Sequence, residues 1–228
     1  SNDLARDMEM SVKPTVLMEK ILKNEQGYLM DVGSLKFAIV SEEHSCLYNK
    51  EHFSGVKRFN VSCGIGFDAA VCEEALHSKM KEFLNRFRMG KLVYLCIALK
   101  QLIKAKRVSC DLYLDENEPI HVKGLLFVAC MNHKYEGGGF MFGPDADYQD
   151  GFLDLCVVGN IPKPLILLAL PTAMKGKHFA FPCIEKYRAR EVRIKISEPL
   201  WVHTDGEVYV KSDDIYIKNE PTKMRMIV

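Results

Sequence analysis

The stretch that decides how this chain is read is NHKYEGGGFMFGPDADYQDGFLDLCVV, Asn132 to Val158. Three adjacent glycines, Gly137, Gly138 and Gly139, precede two carboxylates three apart, Asp147 and Asp150, and then an apolar run. A short apolar run bounded by turn residues reads as a buried strand. A second stretch, HTDGEV from His203 to Val208, sets Asp205 and Glu207 on either side of Gly206. In a continuous strand, residues two apart lie on one face at about 6.6 Å, so both carboxylates could reach one hydroxyl or one cation.

Outward from these stretches, the chain after Arg107 is mainly β. Expected strands are 108–114, 122–131, 152–158, 187–196, 201–209, 215–218 and 224–228, joined by short polar turns that favour antiparallel pairing. Within 187–196 the apolar phase changes, and a β-bulge near Arg190 would reconcile it. A short helix is expected around Pro164–Met174. The first half is helical at its start, with a second helix that Ser11 can cap, and strand-like from Tyr28 to Val40. FNVSCGIGFDAAV, from Phe59, reads as strand, glycine turn and Asp68-capped helix. That helix should run to Gly90, and another follows over Leu92–Lys106, both amphipathic and suited to cover a sheet.

The 228 residues, 48% of them hydrophobic, can build a sizeable core. With 31 basic and 30 acidic side chains the net charge is +1, which provides no global field to gather nucleic acid. Eight cysteines, no two closer than nine residues, exclude CxxC zinc and redox motifs. Most lie in apolar runs, as buried thiols in a reducing compartment do, so the expected location is cytoplasmic. No apolar run approaches the roughly 18 residues of a membrane span.

Each chemistry-bearing group has two readings. Asp147 and Asp150 are either an oxygen site for a hard cation or a polar turn bonded to its own backbone. Gly137–Gly139 either let the backbone approach a phosphate or make a hairpin loop at positive φ. Asp205 and Glu207 are either a base or metal pair, or a DG turn beside a solvated glutamate. Between Lys175 and Lys195, seven basic residues against two acidic ones form either a face for anionic lipid or a solvated surface.

NVSCGIGFDAAV, the GGGFMFGPDADYQDGFLDL run and HTDGEV, in this order, resemble the lipid kinases of the diacylglycerol kinase type, including bacterial diacylglycerol kinases and sphingosine kinases. The opening Asn2-Asp3-Leu4-Ala5-Arg6 looks like the end of that family's GTGNDxAR motif. The resemblance implies an α+β fold, a mainly antiparallel, β-sandwich-like C-terminal domain with covering helices, related to that of NAD kinases. The family's other half, an N-terminal α/β domain with a GGDGT loop for ATP, is not in this sequence. Residues 1–26 are then expected to be a remnant of that domain, 27–218 the β-rich body, and 219–228 a strand returning to the missing half.

By position, the resemblance makes Asp205 the base toward the lipid hydroxyl, with Glu207 supporting it or contacting catalytic Mg²⁺. It makes Asp147, Asp150 and the Phe152 carbonyl a structural Mg²⁺ site, and Asn2 the nucleotide-binding asparagine. The expected activity is ATP- and Mg²⁺-dependent phosphorylation of a lipid hydroxyl at a membrane surface, with peripheral attachment and this segment inactive alone. Rival expectations are a NAD kinase-related enzyme and a non-catalytic lipid-binding module acting through Lys186, Arg188 and Arg190. An apolar patch left uncovered by the missing domain would favour a homodimer.

Overall fold

The structure, a computed structural model, describes residues 3–10, 13–23, 27–39, 53–77 and 90–226, with backbone alone for 90–95. Two short helices, α1 (Asp3–Asp7) and α2 (Pro14–Leu22), come first. Pro14 sits in the first turn of α2, where a missing N–H costs nothing. Lys13 precedes it without a side-chain cap, and Ser11 lies outside the described residues. Strands β1 (Tyr28–Met30), β2 (Gly33–Phe37), β3 (Lys57–Phe59) and β4 (Ser62–Gly66) lead into α3 (Phe67–His77) and α4 (Gly90–Lys104). Gly90 opens α4 rather than ending the preceding helix, whose expected continuation over 78–89 lies outside the described residues.

The rest is antiparallel: β5 (Val108–Leu114), β6 (Ile120–Leu125), β7 (Phe127–Met131), β8 (Leu153–Val158), β9 (Ile184–Ala189), β10 (Glu191–Thr204), β11 (Glu207–Asn219) and β12 (Met224–Met226). Helix α5 (Lys163–Ala173) interrupts them. Strands β3-β2-β11-β10-β4-β7-β8-β9 run side by side, and β5 and β6 branch off β10. The branch is what turns one sheet into two layers. The first half of β10, Val192 to Ile196, pairs with β5, whereas Val202 to Thr204 pairs with β4. Between them the register against β11 slips, at a segment containing Pro199, which has no N–H for a ladder. A strand that changes sheets at an irregularity makes the corner of a sandwich.

The larger core fills the space between the layers, with Leu35, Ile65, Leu112, Val128, Leu155 and Ile194 fully or almost fully buried. The opposite face of β7 and β8 carries a second core, where Phe127, Ala129, Met131 and Cys156 pack under α5. Both faces of β8 are therefore buried, which is why its sequence LDLCVV does not alternate.

Three expectations about the strands are corrected. The run 122–131 is two strands that part at Leu126, β6 pairing with β5 and β7 with β4 and β8. The run 187–196 is not one bulged strand. It breaks at Arg190, where Asp115 accepts the Arg190 and Glu191 N–H groups at 2.9 and 2.8 Å and the chain crosses from β8's layer to β5's. The run 201–209 is a hairpin, with Thr204 paired to Glu207 and left-handed φ at Asp205 (+50°) and Gly206 (+86°). Strands joined by two residues at positive φ match the twist of an antiparallel pair.

At the ends of the chain, β12 pairs with β1, Tyr28 opposite Met226. Helix α2 buries none of its side chains and leaves Met18, Ile21 and Leu22 exposed.

Candidate active site

The site forms over Gly64 in the middle of β4. There Asp68, carried back by the β4–α3 junction from one end of the strand, meets residues of the β7–β8 loop and the β10–β11 turn, which lie at the other end. The first of these segments is the β4–α3 junction. Gly66 takes φ +102° against the Leu126 carbonyl, and the Phe67 N–H donates to that carbonyl at 3.1 Å, which aims α3 back over the sheet. Asp68, in the first turn, accepts the Ala69 N–H with Oδ1 and turns Oδ2 toward His203. Gly64 makes this approach possible, because any Cβ there would collide with the Asp68 carboxylate and the His203 ring.

The second is the loop after β7. Glu136 and Phe140 exchange backbone hydrogen bonds around Gly137, Gly138 and Gly139, whose φ values are +64°, +89° and +114°. The glycines thus make the tight hairpin. They hold α1 rather than stand open to a phosphate: the Gly138 N–H donates to Asp3 Oδ2 at 2.8 Å, and Gly139 passes against Arg6. Asp7 extends the contact by accepting a hydrogen bond from His133 Nδ1 at 2.8 Å. Asn2 lies outside the described residues.

The third is the β10–β11 turn. His203 is fully buried, and its Nε2 lies 3.3 Å from both Asp68 Oδ2 and Glu136 Oε1. Its Nδ1 accepts the Gly206 N–H at 3.2 Å. Asp205 reaches back to the β3–β4 turn, where Oδ2 accepts the Asn60 N–H at 2.8 Å and Oδ1 those of Val61 and Ser62 at 2.9 and 3.0 Å. A carboxylate has about four lone-pair sites, so one on Oδ2 stays available. Because Asp205 is in the turn and Glu207 on the outgoing strand, the two do not share a strand face as a continuous strand would require. Both are exposed.

Burial pushes the Glu136 carboxyl up to about 7, with Asp68 adding to the rise and His203 opposing it. The Ser62 hydroxyl, buried beside that carboxylate, also opposes the rise by hydrogen bonding to it. For His203, burial alone would push the imidazole down, but the Asp68 bond and the Glu136 and Asp68 charges outweigh it and raise its proton affinity.

The Asp147–Phe152 loop is elsewhere, at the start of β8. Asp147 Oδ1 accepts the Gln149 N–H at 3.0 Å, and Asp150 Oδ1 accepts the Phe152 N–H at 2.9 Å. Asp150 Oδ2 pairs with Arg188, and the Phe152 carbonyl accepts from Asn219 Nδ2 at 3.3 Å. Each expected Mg²⁺ ligand thus meets a protein donor, with the Arg188 guanidinium where the cation's charge was expected. This arrangement does not fit an open oxygen cage. The basic face is likewise engaged: Lys186 pairs with Asp145, Arg193 with Asp214, and Arg188 and Arg190 both lie 4.7 Å from the centre of the Phe152 ring.

The sequence offered Asp68 as a helix cap and His203 only as the start of HTDGEV, and Glu136 was missed. The available signal was a glutamate directly before three glycines, at the end of a wholly apolar strand. The described residues contain no helix long and apolar enough to cross a membrane.

Against known proteins, residues 61–228 match the family described as the YegS C-terminal NAD kinase beta sandwich-like domain. A diacylglycerol kinase of Mycobacterium tuberculosis is 29% identical over 153 residues, covering 66% of this chain and 46% of that protein. YtlR of Bacillus subtilis, named by inference as a lipid kinase, is 25% identical over 231 residues, covering 99% of this chain and 68% of YtlR. The crystal structure of a Bacillus anthracis diacylglycerol kinase superposes with a TM-score of 0.63 at 20% identity, over 98% of this chain and 65% of that one, a likeness of fold. The chain therefore spans about half of the mycobacterial relative and two thirds of the solved structure. By its match over residues 61–228, the chain belongs to the YegS C-terminal domain family, the C-terminal domain of diacylglycerol kinase-type lipid kinases.

Proposed function

We propose that this chain supplies the acceptor side of an enzyme that transfers the γ-phosphoryl group of ATP to a lipid hydroxyl. The observation that carries the reading is the acidic cluster of Asp68, Glu136 and Asp205 around one buried histidine. Such a surface repels a polyphosphate and suits a hydroxyl that must lose a proton. The names of the two curated relatives favour a lipid over a soluble dinucleotide as acceptor.

In this reading the acceptor hydroxyl donates to the remaining lone pair of Asp205 Oδ2, which takes the proton as the oxygen bonds to the γ-phosphorus. The bond from that phosphorus to the β,γ-bridging oxygen breaks, releasing ADP. The three backbone N–H groups hold the carboxylate in place, so that positioning supplies most of what phosphoryl transfer needs. Glu207 lies one position beyond the turn and is exposed. Mg²⁺ bound with ATP would neutralise phosphate charge, and Glu207 is the residue of this chain that would contact it. ATP itself would sit on a separate nucleotide-binding domain, against α1 and the exposed side of α2, and the reaction would take place at a membrane surface.

The test is ATP-dependent phosphorylation of a lipid extract by the full-length gene product, with NAD as the competing acceptor. Asp205→Asn is expected to lower turnover by about 10²-fold or more. Normal turnover in that variant, or phosphorylation of NAD instead of lipid, would sink the proposal.

A further inference from the structure

Beyond marking the acidic cluster, the geometry of Asp68, Glu136 and Gly206 around His203 assigns the histidine a task of its own. His203 sits on β10 two residues before Asp205, with no solvent exposure. Its two nitrogens face different things. Nε2 looks at two carboxylate oxygens, Asp68 Oδ2 and Glu136 Oε1, each 3.3 Å away, whereas Nδ1 looks at the Gly206 N–H, 3.2 Å away. An N–H can only donate, so Nδ1 must be bare for this bond to exist. A neutral ring then carries its one proton on Nε2, which is where the two acceptors are.

We propose that His203 is a positioning residue for the Asp205–Gly206 turn: Asp68 and Glu136 hold its ring as the Nε2–H tautomer, so that bare Nδ1 fixes Gly206 and, through it, the direction of Asp205. The proposal rests on Asp205 acting at the reaction centre. It follows the pattern in which a carboxylate on one imidazole nitrogen dictates what the other can do.

Two alternatives are disfavoured by the same contacts. Three side-chain ligand atoms of Asp68, Glu136 and His203 lie within 4.8 Å of one another, a spacing a divalent ion could bridge. Ligation through Nε2 would move the ring proton to Nδ1 and set it against the Gly206 N–H. An imidazolium would do the same. The ionisable groups that act on the ring are Asp68 on α3, Glu136 on the β7–β8 loop and Asp205 on its own hairpin. Only a proton reaching Nδ1 breaks the Gly206 bond, so the turn loosens on the acid side of the histidine's titration. The raised proton affinity of His203 places that limb above the ordinary histidine range.

Asparagine and glutamine separate the two nitrogens, because the asparagine amide oxygen replaces Nδ1 and the glutamine amide replaces Nε2. In the full-length gene product, His203→Asn is expected to keep kcat within about threefold and to lose the acid limb of the pH profile. His203→Gln is expected to lose about tenfold to a hundredfold in kcat with KM little changed. Gly206 amide exchange should stay slow in the Asn variant and become fast in the Gln variant. On the unsubstituted chain, imidazole ¹⁵N NMR at about pH 8 should show the Nε2–H tautomer. An Nδ1–H tautomer, an imidazolium at that pH, stoichiometric Zn²⁺ capture at Nε2, or retention of kcat by Gln and not Asn would each overturn the proposal. Loss of the kinase reading shows differently: Asp205→Asn would turn over normally while the NMR tautomer and the Gly206 protection stood unchanged.

Discussion

Asp205 and Ser62 hold each other by reciprocal hydrogen bonds: the Asp205 N–H donates to the Ser62 carbonyl at 2.9 Å, and the Ser62 N–H donates to Asp205 Oδ1 at 3.0 Å. The pair ties the β10–β11 turn to the start of β4, from which α3 and Asp68 follow. The acid at the centre of the proposed chemistry is also a structural clamp.

Replacing that clamp has a measurable cost apart from activity. Asp205→Asn puts an amide NH₂ where backbone N–H groups now donate, so at least one charge-assisted bond is lost and one donor faces another. The expected destabilisation is about 2 kcal/mol, read from urea unfolding at neutral pH. Asp205→Ala should cost at least as much, because all three N–H groups lose their acceptor.

Glu136 makes stability depend on pH. Its carboxyl is raised from the usual carboxylate range to about 7 when folded, so between those values the folded state binds more protons than the unfolded one. Stability from this group is therefore present at low pH and lost as pH rises through about 7. His203, also raised, acts in the same direction. From Glu136 the melting temperature should fall between about pH 5 and pH 7, by the equivalent of about 2 kcal/mol, and level off above that. Glu136→Gln should flatten that fall, and an unchanged slope would remove Glu136 as its source.

The Asp147–Phe152 loop predicts indifference to chelators. With Asp150 on Arg188 and the Phe152 carbonyl on Asn219, EDTA should leave the melting temperature of this chain unaltered. Arg188→Ala should cost about 1 kcal/mol, since the pair is half-exposed and the guanidinium also covers the Phe152 ring. A melting temperature that drops with EDTA and recovers with Mg²⁺ would show that an ion, not Arg188, closes the loop.

Gly64→Ala tests how tightly the site is built. Its Cβ would enter the space between the Asp68 carboxylate and the His203 ring, both anchored on buried backbone. The expected cost is about 2–3 kcal/mol, with loss of Gly206 amide protection. Gly55→Ala, where a Cβ meets nothing, is the matched control.

Local pattern carried much of the fold. The apolar runs of β5, β7 and β8, the glycine turn before α3, and the order of the three motifs suffice to place the chain in its family and to call its second half antiparallel. These are signals of neighbours in sequence, where period and turn chemistry act over a few residues. The failures came where a local rule had two outcomes. HTDGEV fits a strand or a DG hairpin, and pairing of β10 with β11 decided for the hairpin. The phase change near Arg190 fits a bulge or a corner, and Asp115, 75 residues away, decided for the corner.

The sequence by itself determined which acids this protein has and the order in which they arrive, and through that order its family. Only the tertiary structure decided which of them meet. Glu136, Asp68 and His203 are brought together by the pairing of β4 with β7 and β10. Contacts between residues so far apart leave no period in the chain, and the burial that raises Glu136 belongs to the assembled sheet rather than to any one segment.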